Sequence, residues 1–452
     1  MNNTLLLRPE KVLLVYPGTK TGGSAYPMGI LYIAQALRKI NIEVSIFHMG
    51  TDNIKNFKPE NYLFVGISML TDGPLIRNSL SFARLIKNFN TQIPIVIGGV
   101  HPTLLPKQSL QNELIDFVVV GEGEKTVQEL ALRLSKNEDI SSIKGLGYKD
   151  SNGNVTVNPE PEFLDMETEL DFDIPYELLS FHSKSQMTGV ALHTSRGCPY
   201  RCGFCYNVVV HDRKYRYKSA ERVLEEIEYL TKKYNIHTLS FTSEDEFFIY
   251  PKRVYEIMEG IIQRGIKVQW SSFCRFDNFL RGVDKIGPDF LKVLIKSGCS
   301  TLTLGSESGS QRILDEIVIK DSKVEHILRG VEILKNAKLP HQSNFICGYP
   351  TETQADFQAT LNLVEKINFN NPYISTGMGK LIPVPGSSIY DLIVRDYGYK
   401  PPPSLEEWGN FSVDTFSYKD MSWLSAKHRK TCNVYSTIAK FPYAKDFRSY
   451  KE

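Results

Sequence analysis

Cysteine is missing from the entire N-terminal stretch, and none occurs before Cys198. Charge of one sign is missing too. Lys and Arg total 53 against 51 Asp and Glu, a net +2, which leaves no electrostatic case for nucleic acid as a main partner. No run approaches the ~18 apolar residues of a membrane span. The start, Met1 to Lys11, carries one Arg and three consecutive leucines, too short for the apolar core of a secretory signal. No low-complexity tract is present. These absences lead to the expectation of a cytoplasmic protein with no transmembrane segment and no nucleic-acid partner. The seven cysteines are also unevenly placed: three fall between positions 198 and 205, and Cys274, Cys299, Cys347 and Cys432 stand singly. A disulfide framework does not look like this, whereas metal chemistry in a reducing compartment does.

Apolar residues at 42% and charged ones at 23% give a normal globular balance. In the first part, short apolar runs alternate with amphipathic segments such as Gly29–Lys39 and Leu75–Asn88. Strands are predicted at Val12–Tyr16, Glu43–Phe47, Leu63–Ser68, Ile93–Ile97 and Phe117–Val120. Nearly continuous apolar strands between helices imply a parallel sheet covered on both faces, with its ligand site at the strands' carboxyl ends. Ser151-Asn152-Gly153-Asn154 then reads as a hairpin turn.

After an acidic, Pro-interrupted stretch, six more strands are predicted near Val190–His193, Thr238–Phe241, Val268–Ser272, Thr301–Leu304, Gln342–Ile346 and Tyr373–Leu381. Helices at Ala220–Tyr234, Pro251–Gln263, Pro288–Lys296, Val324–Lys335 and Thr353–Ile367 separate them. The fold class expected is α/β: a doubly wound Rossmann-like parallel sheet (1–159), a linker (160–188), six strand–helix units (189–386) that suit a partial (β/α)6 barrel better than a second open sheet, between which periodicity alone does not choose, and a small C-terminal extension (387–452).

Directly after the barrel's first strand comes Ser195-Arg196-Gly197-Cys198-Pro199-Tyr200-Arg201-Cys202-Gly203-Phe204-Cys205-Tyr206. Three thiolates on one glycine-bearing loop can face a common centre. Four cysteines saturate an iron–sulfur cubane, and three leave one iron open for chemistry. The competing reading is a structural zinc site, which needs a fourth ligand, with His193 or His211 in reach of the sequence.

Cys-x-x-x-Cys-x-aromatic-Cys after a first barrel strand resembles the radical S-adenosylmethionine superfamily. The resemblance implies a 4Fe–4S cluster on Cys198, Cys202 and Cys205, whose open iron binds S-adenosylmethionine. One electron, from an external donor of the flavodoxin or ferredoxin type, then cleaves that cofactor to a 5′-deoxyadenosyl radical. Other residues follow from the same resemblance. Phe204 and Tyr206 flank the cluster, Ser243 and Glu244 end the second strand near the cofactor's amine, and Arg275 ends the third facing its carboxylate. Ser306 or Glu307 meets the ribose after the fourth, and Gly348 lies in the turn that passes the adenine.

Four loops at the N-terminal strand ends are unusual: Tyr16 to Pro27, then Ser68-Met69-Leu70-Thr71-Asp72, Gly98-Gly99-Val100-His101-Pro102 and Gly121-Glu122-Gly123-Glu124. Glycine there permits close approach of backbone to a large flat ligand, although the same glycines could simply cap strands. The segment from Val12 to Leu130 resembles the cobalamin-binding domain that precedes many such barrels. That resemblance places Ser68, Leu70, Thr71, Gly99, His101, Glu122 and Gly123 at cobalamin. The Asp-x-His-x-x-Gly cobalt ligand of the mutases is missing, so the cobalamin implied has no histidine on cobalt. Methylthiotransferases carry three further cysteines in their N-terminal domain, and residues 1–197 have none. Cys274, Cys299 and Cys347 lie beside apolar strands and read as small hydrophobes.

The activity implied is cobalamin-dependent methylation of an unactivated carbon of a small-molecule or lipid-like substrate. Two alternatives stand beside it. One is a radical cyclase, rearrangement, dehydratase or epimerase without methyl transfer. The other is a non-catalytic iron–sulfur sensor, which has no use for the Arg275, Glu307 and Gly348 positions.

Overall fold

The apolar runs form strands because each is buried on both faces, as Val12, Leu13, Leu14 and Val15 illustrate at 0–2% exposure. The structure is a computed structural model and describes residues 11–18, 27–180, 189–241, 246–412 and 414–438. It divides into two units, Met1–Met187 with Pro401–Thr415, and Thr188–Lys400 with Phe416–Glu452.

In the first unit, strands β1 (Lys11–Tyr16), β2 (Glu43–His48), β3 (Phe64–Ser68), β4 (Ile95–Gly98) and β5 (Phe117–Val119) pair in parallel in the order β2-β1-β3-β4-β5. Strands β6 (Leu146–Lys149) and β7 (Val155–Val157) are the hairpin read from its Asn-Gly turn, and they extend the sheet antiparallel beyond β5. Helices α1 (Met28–Lys39), α2 (Gly73–Phe89), α3 (Val100–Leu104), α4 (Pro106–Gln111) and α5 (Glu124–Lys136) cover it. Ile30, Ala34 and Leu37 of α1 meet Leu130, Ala131 and Leu134 of α5 in one core, where each fully buried Leu or Ile contributes about 1.5–3 kcal/mol.

The second unit holds β8 (Val190–Leu192), β9 (Ser195–Arg196), β10 (Arg216–Tyr217), β11 (Thr238–Phe241), β12 (Gln269–Arg275), β13 (Cys299–Glu307), β14 (His341–Cys347) and β15 (Ile374–Lys380). Six of them form a sheet in the sequential order β8-β11-β12-β13-β14-β15, every pair parallel. That order is the partial barrel expected. Its helices are α6 (Asn207–Val210), α7 (Ala220–Tyr234), α8 (Pro251–Gln263), α9 (Phe276–Ile286), α10 (Pro288–Lys296), α11 (Val324–Asn336), α12 (Gln354–Asn368) and α13 (Ser388–Tyr397).

The segment after Gly386 is divided between the two units. Helix α14 (Leu405–Trp408) lies in the first, where Trp408 packs edge-on against His101 at 5.5 Å and the Gly73 amide donates to the Phe411 carbonyl at 2.8 Å. Helix α15 (Ala426–Ile438) and Trp423 lie in the second. The C-terminal extension, expected as one small appended piece, therefore places its tryptophans in two different cores. Among the described residues no helix is long and apolar enough to cross a membrane.

His101 is fully buried, and both ring nitrogens lack a hydrogen-bond partner. Burial lowers its pKa to about 4. A depressed folded pKa gives stability that is present above the unfolded value of about 6.5 and lost on acidification toward the folded one. Between pH 6.5 and 4 the first unit should lose up to about 3 kcal/mol from this residue. Denaturant unfolding of wild type and His101→Phe across that range checks it; equal pH slopes would refute the assignment.

Candidate active site

The cysteine loop is pinched at its base, where β9 pairs antiparallel with β10. Gly197 opens the loop at φ +80°, and a Cβ there would sit 2.1 Å from the Lys214 carbonyl, so only glycine fits. Midway, the Gly203 amide donates to the Val318 carbonyl at 2.7 Å, and the Gly203 carbonyl accepts from the Ile389 amide at 2.9 Å. The loop is thereby held on the π-helical turn Ile313–Val318 and on α13.

Cys198, Cys202 and Cys205 are all half-buried and unpaired. Burial pushes the Cys198 thiol up to about 12 and that of Cys205 up to about 11. It raises Cys202 as well, opposed there by Lys320 and Arg275. The three thiols feel one another electrostatically. As a set, however, they do not fall within 4.8 Å of one another, a spacing that elsewhere in the described residues unites Glu352, His428 and Cys432. Thiolates on one zinc, with Zn–S bonds of about 2.3 Å, stand only ~4 Å apart. The three thiols of the loop stand wider apart than the set of Glu352, His428 and Cys432.

Arg275, at the end of β12, reaches into this loop. Nη1 donates to Cys202 Sγ at 3.3 Å, Nε and Nη2 to the Asp277 carboxylate at 3.0 and 3.3 Å, and Nη2 also to the Lys320 carbonyl. The guanidinium lies 3.6 Å above the Tyr200 ring. Burial works against its charge, but Asp277, Cys202 and Glu246 outweigh that and raise its pKa. The structure therefore puts Arg275 against the cluster loop, its fork engaged by protein, rather than open to a cofactor carboxylate.

Glu307 ends β13 at φ +62°, just past a register shift between Gly305 and Glu307. A non-glycine residue held there costs of order 1–3 kcal/mol and is typical of functional positions. Its carboxylate pairs with Lys320 Nζ at 2.6 Å, both nearly buried. Ser306 instead faces the opposite side, buried and bonded to Ser343. Of the two ribose candidates, only Glu307 borders the cavity of about 600 Å³ inside the barrel. Phe273, Thr303, Asn344, Phe345, Ile346 and Met378 line that cavity, with Gly305, Gly377 and Gly379. Its size suits a drug-sized ligand. Phe204 and Tyr206 are half-buried on the cysteine loop. Gly348, at φ +90°, is packed by Met421, and its carbonyl accepts from the Trp423 indole at 2.7 Å. Ser243 and Glu244 lie outside the described residues. Lys320 and Tyr200 escaped the reading of the sequence as site residues; a lone lysine in a loop carries no signal of its partner.

In the first unit, Ser68 and Thr71 are half-buried at the end of β3 and Leu70 is exposed, an apolar side chain at the ligand edge of a doubly wound sheet. Gly99, at φ +105°, lets the backbone pass Met69, whose carbonyl a Cβ would approach to 2.8 Å. Gly123 packs on Ile33, and Gly121 on Glu160. Glu122 accepts from the Leu164 amide at 3.0 Å. These glycines thus answer close approaches within the protein, and Glu122 is engaged by the strap that follows the hairpin. His48 and His101 both point into the core. Leu70 offers no donor to a metal, so this edge fits a cobalamin without a histidine on cobalt.

Removing Lys320 leaves the buried Glu307 carboxylate uncompensated. Lys320→Met should destabilise the barrel by about 3–5 kcal/mol, and Lys320→Met with Glu307→Gln should recover most of it. Melting curves of the single and double variants check this; additive losses would mean the pair is not coupled.

Residues 192–364 match the radical SAM superfamily and residues 16–131 match the B12 binding domain. An uncharacterised methyltransferase of Pyrococcus horikoshii is 31% identical over 86% of this chain and 84% of its own. The anaerobic magnesium-protoporphyrin IX monomethyl ester cyclase of Rubrivivax gelatinosus is 26% identical over 79% of this chain and 66% of its own. Among solved structures, the radical S-adenosylmethionine methyltransferase TsrM of Kitasatospora setae shares the fold, with a TM-score of 0.71 at 19% identity over 86% of this chain and 77% of that one. With a cysteine loop shaped for a cluster on one unit and a cobalamin-type sheet on the other, the chain belongs to the radical S-adenosylmethionine superfamily, as a cobalamin-dependent enzyme whose cofactors are a 4Fe–4S cluster, S-adenosylmethionine and cobalamin.

Proposed function

We propose that this enzyme methylates an unactivated carbon of a small, largely uncharged substrate held in the barrel cavity. One observation carries the reading: the described wall of that cavity presents hydroxyl, amide and apolar groups, and its single acidic side chain, Glu307, is paired with Lys320. Such a wall positions a ligand without offering it a proton. Methyl transfer to a carbon radical asks for positioning, whereas dehydration asks for an acid or base and epimerisation for a hydrogen donor. The barrel cysteines Cys274, Cys299 and Cys347 are buried and do not line the cavity. Likeness to the Pyrococcus methyltransferase supports the same reading.

When bound, the three cofactors supply reductive cleavage of a carbon–sulfur bond and a transferable methyl group. The chain's part is to hold them. Cys198, Cys202 and Cys205 hold the cluster, Arg275 positions Cys202 and balances the charge there, and Glu307 accepts from the ribose hydroxyls of S-adenosylmethionine. Ser68, Leu70 and Thr71, at the end of β3, would contact the cobalamin. An external one-electron donor is required, of the flavodoxin or ferredoxin type. Likeness to the Rubrivivax cyclase favours a second reading, radical cyclisation without methyl transfer.

An anaerobic assay on candidate metabolites separates the two: a product heavier by one methylene means methylation, and an unchanged carbon count means cyclisation or rearrangement. Cys202→Ala should abolish reductive cleavage of S-adenosylmethionine, and deoxyadenosine production at the wild-type rate would overturn the cluster assignment. Glu307→Gln should weaken S-adenosylmethionine binding about ten- to hundredfold, the loss of a charge-assisted hydrogen bond, with iron content unchanged. In the cob(II)alamin form, paramagnetic resonance should show no nitrogen coupling from a protein histidine.

A further inference from the structure

Outside the catalytic machinery, one cluster of donors stands apart. Cys347 ends β14 and Glu352 follows in the turn, while His428 and Cys432 lie four residues apart on one face of α15. All four are buried, at 0%, 7%, 3% and 0% exposure. We propose that Glu352, His428 and Cys432, completed by Cys347, form a structural zinc site that fastens α15 to the barrel.

The ligand atoms of Glu352, His428 and Cys432 lie within 4.8 Å of one another. With metal–donor bonds of about 2.0–2.3 Å, that is the spread of groups around one ion. Cys347 is the next sulfur to the set, buried at the end of β14 and close enough to act on Cys432 electrostatically. Two thiols, an imidazole and a carboxylate make a borderline-soft donor set that suits zinc over calcium or magnesium. Four protein ligands close the shell, so the role is structural.

The surroundings are those of a held ligand set. One ring nitrogen of His428 faces Glu352 at 2.9 Å, and the other meets the Gln354 side-chain amide at 2.8 Å. Since the two ends of an amide are interchangeable in such an assignment, Gln354 can accept from Nδ1–H and leave the Nε2 lone pair for the metal. Glu352 is oriented by the Gly348 amide at 2.8 Å and the Cys347 sulfur by the Tyr418 hydroxyl at 2.8 Å. Partners of this kind orient metal ligands and fix the histidine tautomer. Zinc binding would displace the thiol protons of Cys347 and Cys432 to solvent, with no change of oxidation state. A His428–Glu352 pair alone would hold α15 equally well, but it gives no reason for the Cys432 thiol to converge on the same point.

Zinc and iron are measured on the anaerobically purified full-length enzyme from zinc-supplemented medium, together with the zinc K-edge absorption. The expected result is about one zinc per chain, with sulfur neighbours at about 2.3 Å and nitrogen or oxygen neighbours at about 2.0 Å. His428→Gln and Cys432→Ser should each cut zinc about tenfold or more and leave iron at the wild-type level. Wild-type protein without zinc would overturn the proposal whatever the variants do. So would zinc retained in both variants, or a zinc spectrum without sulfur.

Discussion

The guanidinium of Arg275 fixes the geometry at the carboxyl ends of the barrel strands. From one buried position it touches the loop after β9 through Cys202 and Tyr200, the start of α9 through Asp277, and the loop after β13 through the Lys320 carbonyl. Lys320 then holds Glu307. Two buried cations, one buried carboxylate and one half-buried one thereby meet beside three thiols, and removing any one of them would leave its partner's charge uncompensated. A lysine in place of Arg275 could not reproduce this, because only a planar fork serves a carboxylate, a sulfur and a carbonyl at once.

Backbone detail makes the same arrangement possible. The register shift after Gly305 sets two residues of β13 against one of β14, and Glu307 takes a left-handed conformation at its end. Such bulges re-aim a side chain at the rim of a barrel. Gly305 leaves room beside it, since a Cβ there would press on Glu307 Oε1 and Lys320 Nζ and any side chain would have to displace the ion pair.

Much of the fold was legible where local signals were strong. Helix α7 begins at Ala220 because Ser219 accepts from the Arg222 amide, and it ends where Asn235 turns left-handed; both marks are readable from residue type alone. Helix α8 begins on Pro251 for a similar reason. Helix α9 was not legible, because Arg275 is at once the last residue of β12 and the cap of the helix, and no glycine or proline separates the two. The cysteine loop could be read because its chemistry is local. Lys320 and Tyr200 could not, since their roles come from contacts that only the folded chain creates. His101 illustrates a different gap: its loop sits at the ligand edge as read, but Trp408, more than 300 residues away in the chain, turns it into a core residue.

Strand alternation explains why seven cysteines in one chain do not interfere with one another. On β12, Phe273 faces the cavity, so Cys274 faces the helical layer, and on β14 Ile346 faces it, so Cys347 lies on the other side; on β13 the register shift that sets Cys299 opposite Trp270 takes it off the Thr303 face. Burial pushes the Cys274 and Cys299 thiols far up, which keeps them protonated and poor as nucleophiles or ligands. The cluster cysteines are also raised by burial, but Cys202 has Arg275 and Lys320 beside it to offset that. A cluster held on this loop would therefore meet sulfur where the chain has placed positive charge next to it. Cys274 and Cys299 stay protonated on the other face of the sheet, and the described wall of the cavity stays free of competing sulfur chemistry.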